Sequence, residues 1–389
     1  MPYGQAIVLE LLEQRAYDVA EFLTLMLNRD IELRNAEPQL REWTEPCLIV
    51  NKELIDRLRL AVLAFFSDFD SVKTTTMPLI ALARAIEEDM SDQYWWIADV
   101  LYQCALSAAL GQHDLEPDDE FVARLRYTYA RFLHYKLKNP RAALEHARIA
   151  KMDSCNKSWT LYGADSDFER DSLFKESALL LHHVLLEVAD QECDPDYAVK
   201  SCEAAIKNAH NVCNEFLESE AHYHLARKQL AAGRLDDAVK NFNVTLDILD
   251  QAKSSLNVCK FLCNVHENLA HIYKMKKDTK SFWRHLQELK NYATVFQQQH
   301  HLARAHLLAG EYYLTQDDAK EAIVYLEYAV GLFKRLNDKS ETSRAEYFVS
   351  IAKIDQEFDQ LQTGEEETWE DERVASTASG LDKADLGAN

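Results

Sequence analysis

Two stretches of the chain repeat one arrangement of small and large residues, and this repeat limits the fold more than any other feature. Ala226 is followed twelve residues later by Ala238, and Gly310 is followed twelve residues later by Ala322. Two antiparallel helices that cross closely need small side chains at the crossing and bulky ones around it. The spacing therefore predicts repeated pairs of antiparallel helices joined by short turns.

The pattern has the features of a tetratricopeptide repeat (TPR). It is complete in residues 219–250 and 303–336, and it is degenerate in residues 124–150, 179–209 and 263–292. Glycine and proline, which β-rich proteins use in turns and bulges, number only 9 and 7 in 389 residues. We therefore predict an all-α fold, a right-handed α-solenoid of TPR-like helix pairs with a disordered acidic C-terminal tail.

The composition divides the chain into three predicted regions. Residues 1–117 form an N-terminal helical region that opens with one long amphipathic helix over 3–34, and residues 118–361 form the repeat solenoid. Residues 153–171 break the repeat period and are predicted to be an exposed insertion. Residues 362–389 contain few core-forming residues and many small or acidic ones, which is typical of a disordered tail.

Charge and cysteine usage limit the compartment and the partners. The formal net charge is −22, from 65 acidic and 43 basic residues, so bare nucleic acid and anionic membranes should repel the chain. Its 8 cysteines are dispersed, the first residues lack the basic start of a secretory signal, and no apolar run is long enough to cross a bilayer. These features predict a reduced, soluble protein of the cytoplasm whose partners are proteins, with no nucleic acid and no membrane.

No common catalytic motif is present. The sequence lacks the glycine-rich loops of nucleotide-binding proteins, the HExxH pair of zinc proteases and the GxSxG turn of serine hydrolases. We therefore predict a protein that is not an enzyme and that has no cofactor.

Cysteines and histidines in three places could suggest a metal site. One group shares a single predicted helix, where spacings of four and seven residues are more simply the buried stripe of an amphipathic helix. The other two groups are adjacent histidine pairs, and neighbours on a helix point in different directions. No metal site is predicted from these residues. They are Cys259, Cys263, His266 and His271 in the first group, and His182–His183 and His300–His301 in the others.

The strongest candidate site is the concave groove of the solenoid, which the first helix of each TPR pair lines. Asn268 lies directly before Leu269 and Ala270, where TPR domains often place an asparagine that holds the backbone of a bound peptide. Its amide can donate and accept hydrogen bonds at once. Three basic residues make this groove less acidic than the whole chain; the alternative is an ordinary solvated helix face. The predicted groove residues are Tyr223, Arg227, Asn268, His271, Lys274 and Arg304.

Two other kinds of TPR adaptor compete with this interpretation. A chaperone-binding clamp grips a C-terminal carboxylate with two lysines, two asparagines and an arginine, but only one asparagine is in register in this chain. A kinesin-light-chain-like cargo adaptor also has repeats longer than standard, but the heptad coiled coil of that family is missing. A generic cytoplasmic adaptor for cargo or complex assembly therefore stays the alternative.

Four segments of the sequence resemble the tetratricopeptide repeat protein 29 family. They are ELLEQRAYDVAEFLTLM near the N-terminus, WWIADVLYQCALSAA at 95–109, AHYHLARKQLAAGRLDDAVKNF, and the closing GEYYLTQDDAKEAIVYLEYAVGLFKRLNDKSETSRAEYFVSIAK. The resemblance covers most of residues 5–355. It implies a non-catalytic scaffold of the ciliary and sperm flagellar axoneme, a cytoskeletal location, that helps to dock inner-arm dynein and so supports motility. It also implies that the partners are dynein components, with another TPR protein as a further candidate.

Overall fold

The chain is built from helices joined by short turns. A computed structural model describes residues 1–36, 44–67, 71–111, 119–161, 172–250 and 256–358. These residues contain one isolated β-bridge, between Thr160 and Ser172, and no β-strand. The helices are α1 (Tyr3–Glu13), α2 (Tyr17–Ala36), α3 (Lys52–Phe65), α4 (Val72–Asp89), α5 (Trp95–Gly111), α6 (Asp119–Tyr135), α7 (Pro140–Asp153), α8 (Leu173–Gln191), α9 (Pro195–Val212), α10 (Glu215–Ala231), α11 (Leu235–Asp250), α12 (Leu256–Met275), α13 (Thr279–Val295), α14 (Gln299–Leu314), α15 (Ala319–Arg335) and α16 (339–358). Short 3₁₀ helices cover Leu48–Val50 and Asp92–Tyr94.

The chain folds as two compact units, unit 1 (Met1–Ala221) and unit 2 (His222–Asn389). In unit 1, α4 packs on α5, α6 on α7 and α8 on α9; in unit 2, α12 packs on α13 and α14 on α15. The predictions of an all-α fold and of successive TPR-like helix pairs are confirmed. The predicted region boundary at 117/118, most of the insertion (162–171) and the tail (362–389) lie outside the described residues. None of the described helices is both long and apolar enough to cross a membrane.

Small residues lie at the helix crossings where the repeat predicts them. Ala226 and Ala238 are fully buried in one core cluster between α10 and α11. Gly310 approaches α15 so closely that a Cβ atom added to it would lie 2.4 Å from the Leu326 Cγ atom and 3.3 Å from the Ala322 carbonyl oxygen. Both twelve-residue pairs are therefore confirmed as close helix contacts.

The single N-terminal helix predicted over 3–34 is wrong, because the chain breaks between α1 and α2. Arg15 has a φ angle of 63°, in the left-handed region. The Ala16 N–H then donates to the Leu11 carbonyl at 2.9 Å, which closes the end of α1. Arginine rarely adopts this conformation, so the residue type did not indicate a turn. The apolar spacing also continues through the break and gave no sign of it.

Most of the later turns between helices also contain one residue in this left-handed backbone conformation. In several of these turns the next residue is an Asp or Asn that caps the following helix; the Asp278 carboxylate, for example, accepts from the Ser281 N–H at 3.1 Å. Most of the turn residues are not glycine, which agrees with the low glycine content. The left-handed turn residues are Lys138, Asn156, Cys213, Gly233, Lys277, Gln297, Asp317 and Asn337.

Lys277→Gly should stabilise unit 2 by about 1 kcal/mol, because glycine has no Cβ to strain a left-handed backbone. Lys277 has a φ angle of 57° and its side chain is exposed. The matched control is Lys280→Gly, an exposed position in the first turn of α13, which should lose about 0.5–1 kcal/mol. Urea unfolding of both variants measures the difference. Equal losses in the two variants would contradict the left-handed turn.

Candidate functional site

Two helices of unit 2 carry matching stripes of polar residues. On α12, Glu267, His271 and Lys274 follow the four- and seven-residue spacing of one helix face, and on α14 Arg304 and Glu311 lie seven residues apart. Helix α12 also packs directly on α14. The polar stripes of two alternate helices are therefore brought side by side.

The stripes border a cavity of about 260 Å³, which we name the α12–α14 pocket. Three of the predicted groove residues, Asn268, His271 and Arg304, line it. The remaining walls come from α12, α14 and α16. The lining residues are Glu267, Asn268, His271, Arg304, Leu307, Leu308, Glu311 and Arg344.

A buried carboxylate at one end of the pocket holds two cations. Lys274 Nζ donates to Glu311 Oε2 at 2.5 Å, and Arg344 Nη2 donates to Glu311 Oε1 at 2.9 Å. The Glu311 side chain is only 8% exposed, so it depends on these charge-assisted bonds to offset its lost hydration. Lys274, a predicted groove residue, therefore binds a carboxylate of its own chain.

A second carboxylate is held in the same way. Arg304 Nε lies 2.7 Å from Glu267 Oε1, and His301 Nδ1 lies 3.4 Å from Glu267 Oε2. Glu267 is 13% exposed, whereas Arg304 is 38% exposed. Arg304 therefore has one side against Glu267 and another toward solvent.

Tyr223 and Arg227 belong to the same electrostatic neighbourhood. The Arg227 guanidinium lies over the Tyr223 ring, 5.8 Å from its centroid. Burial raises the pKa of Tyr223, and the nearby Arg227 cation and the Asn268 side-chain amide both oppose that rise. Asn268 Nδ2 also donates to the Asn264 carbonyl at 2.7 Å, which orients the amide. The Tyr223 hydroxyl is therefore protonated at neutral pH, next to the predicted asparagine.

The sequence prediction missed the pocket residues Glu267, Glu311 and Arg344. A signal for the first two was present, because each lies on the same helix face as a predicted residue: Glu267 with His271, and Glu311 with Arg304. Only the folded chain shows that these carboxylates pair with the predicted cations.

Two members of the cysteine and histidine group of α12, Cys263 and His266, lie in the core of unit 2, whereas His271 lines the pocket. Cys263 is fully buried in a hydrophobic cluster, and His266 Nδ1 lies 3.1 Å from His285 Nδ1. These contacts agree with the buried stripe proposed from the spacing. The side chain of Cys259 lies outside the described residues. In the adjacent pair His300–His301, His300 Nε2 lies 3.2 Å from Asp338 Oδ2. The other pair, His182–His183, lies in unit 1.

Comparison with known proteins gives fold similarity alone. No protein-family model matches the chain, and no curated protein matches it. The apo form of RapI is 10% identical, with a TM-score of 0.40, and the match covers 72% of this chain and 98% of RapI. The TPR-like repeats of a kinesin light chain from Podosopora anserina are 13% identical, with a TM-score of 0.38, covering 57% of this chain and 99% of that one. A signal-transduction ATPase with a TPR sensor from Pyrococcus horikoshii is 12% identical, with a TM-score of 0.46, covering 95% of this chain and 53% of that one. At such low identities and TM-scores, these similarities carry no functional argument.

Proposed function

We propose that the chain is a non-catalytic TPR scaffold that binds an extended segment of a partner protein in the α12–α14 pocket. The observation that carries this proposal is the pocket itself, where three alternate helices place an asparagine, a histidine and two arginines around about 260 Å³. A few fixed polar groups in a concavity are what orient a bound ligand. The Asn268 amide can bind main-chain groups whatever the partner's side chains are.

The exposed arginines of the pocket favour a locally acidic segment. Lys274, Arg304 and Arg344 are matched in number by Glu267, Glu311 and Glu341, the last 3.7 Å from Arg344, so the pocket is locally neutral in a chain whose net charge is −22. Arg304 is 38% exposed and Arg344 is 48% exposed, while the carboxylates that they contact, Glu267, Glu311 and Glu341, are 13%, 8% and 21% exposed. A guanidinium group has five N–H donors. Each arginine can therefore hold its own glutamate and still donate to a carboxylate of the partner.

The pocket is better suited to binding than to catalysis. Its lining residues include His271 but no serine, threonine or cysteine, so His271 has no hydroxyl or thiol nucleophile beside it to activate. Partial burial and the Lys274 cation both lower the pKa of His271, so its ring is neutral at pH 7 and acts as a hydrogen-bonding group. Glu267 and Glu311 are occupied by cations.

The partner that we propose is an inner-arm dynein component of the ciliary or flagellar axoneme, bound together with another TPR protein. The support is the resemblance to the tetratricopeptide repeat protein 29 family. Two of the resembling segments contain pocket or groove residues: one holds Tyr223 and Arg227, and the other holds Glu311 and Arg344. The alternative is a generic cytoplasmic adaptor, kinesin-light-chain-like or chaperone-linked, that offers the same pocket to a different protein.

Affinity purification from ciliated or spermatogenic tissue, followed by mass spectrometry, tests the choice of partner. We expect inner-arm dynein chains to be enriched at least tenfold over a purification with an unrelated helical-repeat protein. Enrichment of kinesin or of a chaperone without dynein would instead support the generic adaptor. Recovery of no axonemal protein would overturn the dynein proposal, and the scaffold proposal would then be tested by measuring whether pocket variants lose whichever other protein the purification enriches.

A further inference from the structure

Two adjacent histidines of α8 and a glutamate of α10 meet in unit 1. The ligand atoms of His182, His183 and Glu220 all lie within 4.8 Å of one another. The His182 ring is fully buried, and the other two side chains are half-buried. The proposed binding function uses none of these groups.

A hydrogen bond on the far side of the His182 ring fixes its tautomer. His182 Nδ1 lies 3.1 Å from the Ala205 carbonyl oxygen of α9. A carbonyl oxygen can only accept, so Nδ1 carries a proton and Nε2 of the neutral ring carries a lone pair. That Nε2 atom lies 3.5 Å from Glu220 Oε2. Two lone-pair atoms facing each other at this distance need a proton or a cation between them.

We propose that His182 Nε2, His183 and Glu220 bind one Zn²⁺ ion, with a fourth position open to water. Two imidazoles and one carboxylate are a ligand set that zinc uses when one position stays open. The bond from His182 Nδ1 to the Ala205 carbonyl is the kind of outer contact that orients a ligating histidine. A mixed nitrogen and oxygen set also disfavours Mg²⁺ and Ca²⁺, which prefer oxygen ligands.

The ligands need only a small closing movement to reach zinc. Zinc bonds of about 2.0–2.1 Å in a tetrahedral site place neighbouring ligand atoms about 3.3 Å apart. His182 is held by Ala205, so the closing movement would come from the half-buried side chains of His183 and Glu220. The ion would then tie α8 to α10. Because it binds only the folded unit, zinc should raise the melting temperature.

The test uses the full chain, stripped with a chelator, kept reduced and titrated with Zn²⁺ against a competing chelator. We expect one zinc per chain by elemental analysis and a higher melting temperature with zinc. His183→Gln and Glu220→Gln should each weaken zinc binding by at least tenfold while keeping the circular dichroism spectrum of the parent. The matched control is His210→Gln, an exposed histidine on α9 that lies 3.2 Å from Glu218, and it should bind zinc like the parent.

Cobalt substitution of the parent chain gives a readout that does not depend on a variant's folding. A site of nitrogen and oxygen ligands gives d–d bands without the intense sulfur-to-cobalt charge-transfer band of cysteine sites. A cysteine-type spectrum, or zinc affinity unchanged in both ligand variants, would overturn the proposal. A parent chain that binds no zinc would also overturn it, and a proton would then lie between His182 and Glu220.

Discussion

Gly310→Ala should destabilise unit 2 by about 1–3 kcal/mol, although alanine is the better helix former. The new Cβ would lie 2.4 Å from Leu326 Cγ and 2.6 Å from Leu326 Cδ2. Leu326 is fully buried in the cluster between α14 and α15, so it cannot turn outward to make room. The overpacking strain should therefore exceed the gain of about 0.5–1 kcal/mol that alanine brings inside a helix.

Gly331→Ala is the matched control, since it makes the same exchange inside α15. A Cβ atom added to Gly331 would meet nothing within 4 Å, so only the gain in helix propensity remains. This variant should become more stable by about 0.5–1 kcal/mol. Urea unfolding of both variants gives the comparison. Two shifts of the same sign would show that α14 and α15 do not cross at Gly310.

The helix crossings could be predicted from the sequence because they impose a local requirement. A close crossing demands a small residue on each helix, and twelve residues is the distance from one to the other through a short turn. Ala226 and Ala238 satisfied that requirement and are fully buried. The same reasoning expects a small residue at position 282, twelve residues after Ala270, but the chain has a phenylalanine there. Phe282 is fully buried in the same core cluster as Ala270 and stacks on Tyr312 of α14 with ring centroids 4.5 Å apart, so an aromatic side chain fills this position of the core.

The break at Arg15 could not be predicted in this way. Apolar spacing reports which face of a helix is buried and continues through a turn that keeps the same face inside. The signal for a helix end is usually glycine or proline, and this chain ends most of its helices with other residues, such as Lys277 and Asn337. In a sequence poor in glycine, the ends of helices are therefore hard to predict from residue type.

For the ion pairs that Lys274 and Arg304 form at the site, the sequence predicted one of the two residues but not its partner. Asn268, His271 and Arg304 were found because they fall on the first helices of repeat units, and all three line the pocket. Their ion-pair partners were not found, because pairing joins residues far apart in sequence: Lys274 meets Glu311 across 37 positions. Spacing within one helix cannot show which side chain of another helix neutralises a charge. The groove residues Lys274 and Arg304 are each ion-paired within the chain, and Arg304 keeps an exposed outer face.

Arg227→Glu combined with Arg304→Gln should abolish most partner binding while leaving the fold intact. Arg227 is exposed and contacts the Tyr223 ring, so its reversal places a negative charge beside Tyr223, which also interacts with Asn268, at little structural cost. Glutamine at 304 can still donate to Glu267, whereas glutamate there would face Glu267 with a like charge. Charge-assisted hydrogen bonds contribute about 1.5–3 kcal/mol each, so losing two of them should weaken binding by at least about tenfold.

The control for this variant is Arg148→Glu combined with Arg141→Gln, on α7 of unit 1. Both arginines are exposed and ion-paired, Arg148 with Glu145 at 3.0 Å and Arg141 with Glu192 at 3.1 Å. The control therefore makes the same change of charge at two exposed arginines on a different surface of the chain. It should recover the partner as well as the parent does.

The most direct test of the pocket as the partner site is quantitative recovery of inner-arm dynein from axonemal extract by the parent, the pocket variant and the control. Circular dichroism and melting temperature of each chain are measured on the same preparations. We expect the pocket variant to keep the helical spectrum of the parent and to recover at least tenfold less dynein, with the control unchanged. A folded pocket variant that recovers dynein as fully as the parent would contradict the assignment of the α12–α14 pocket.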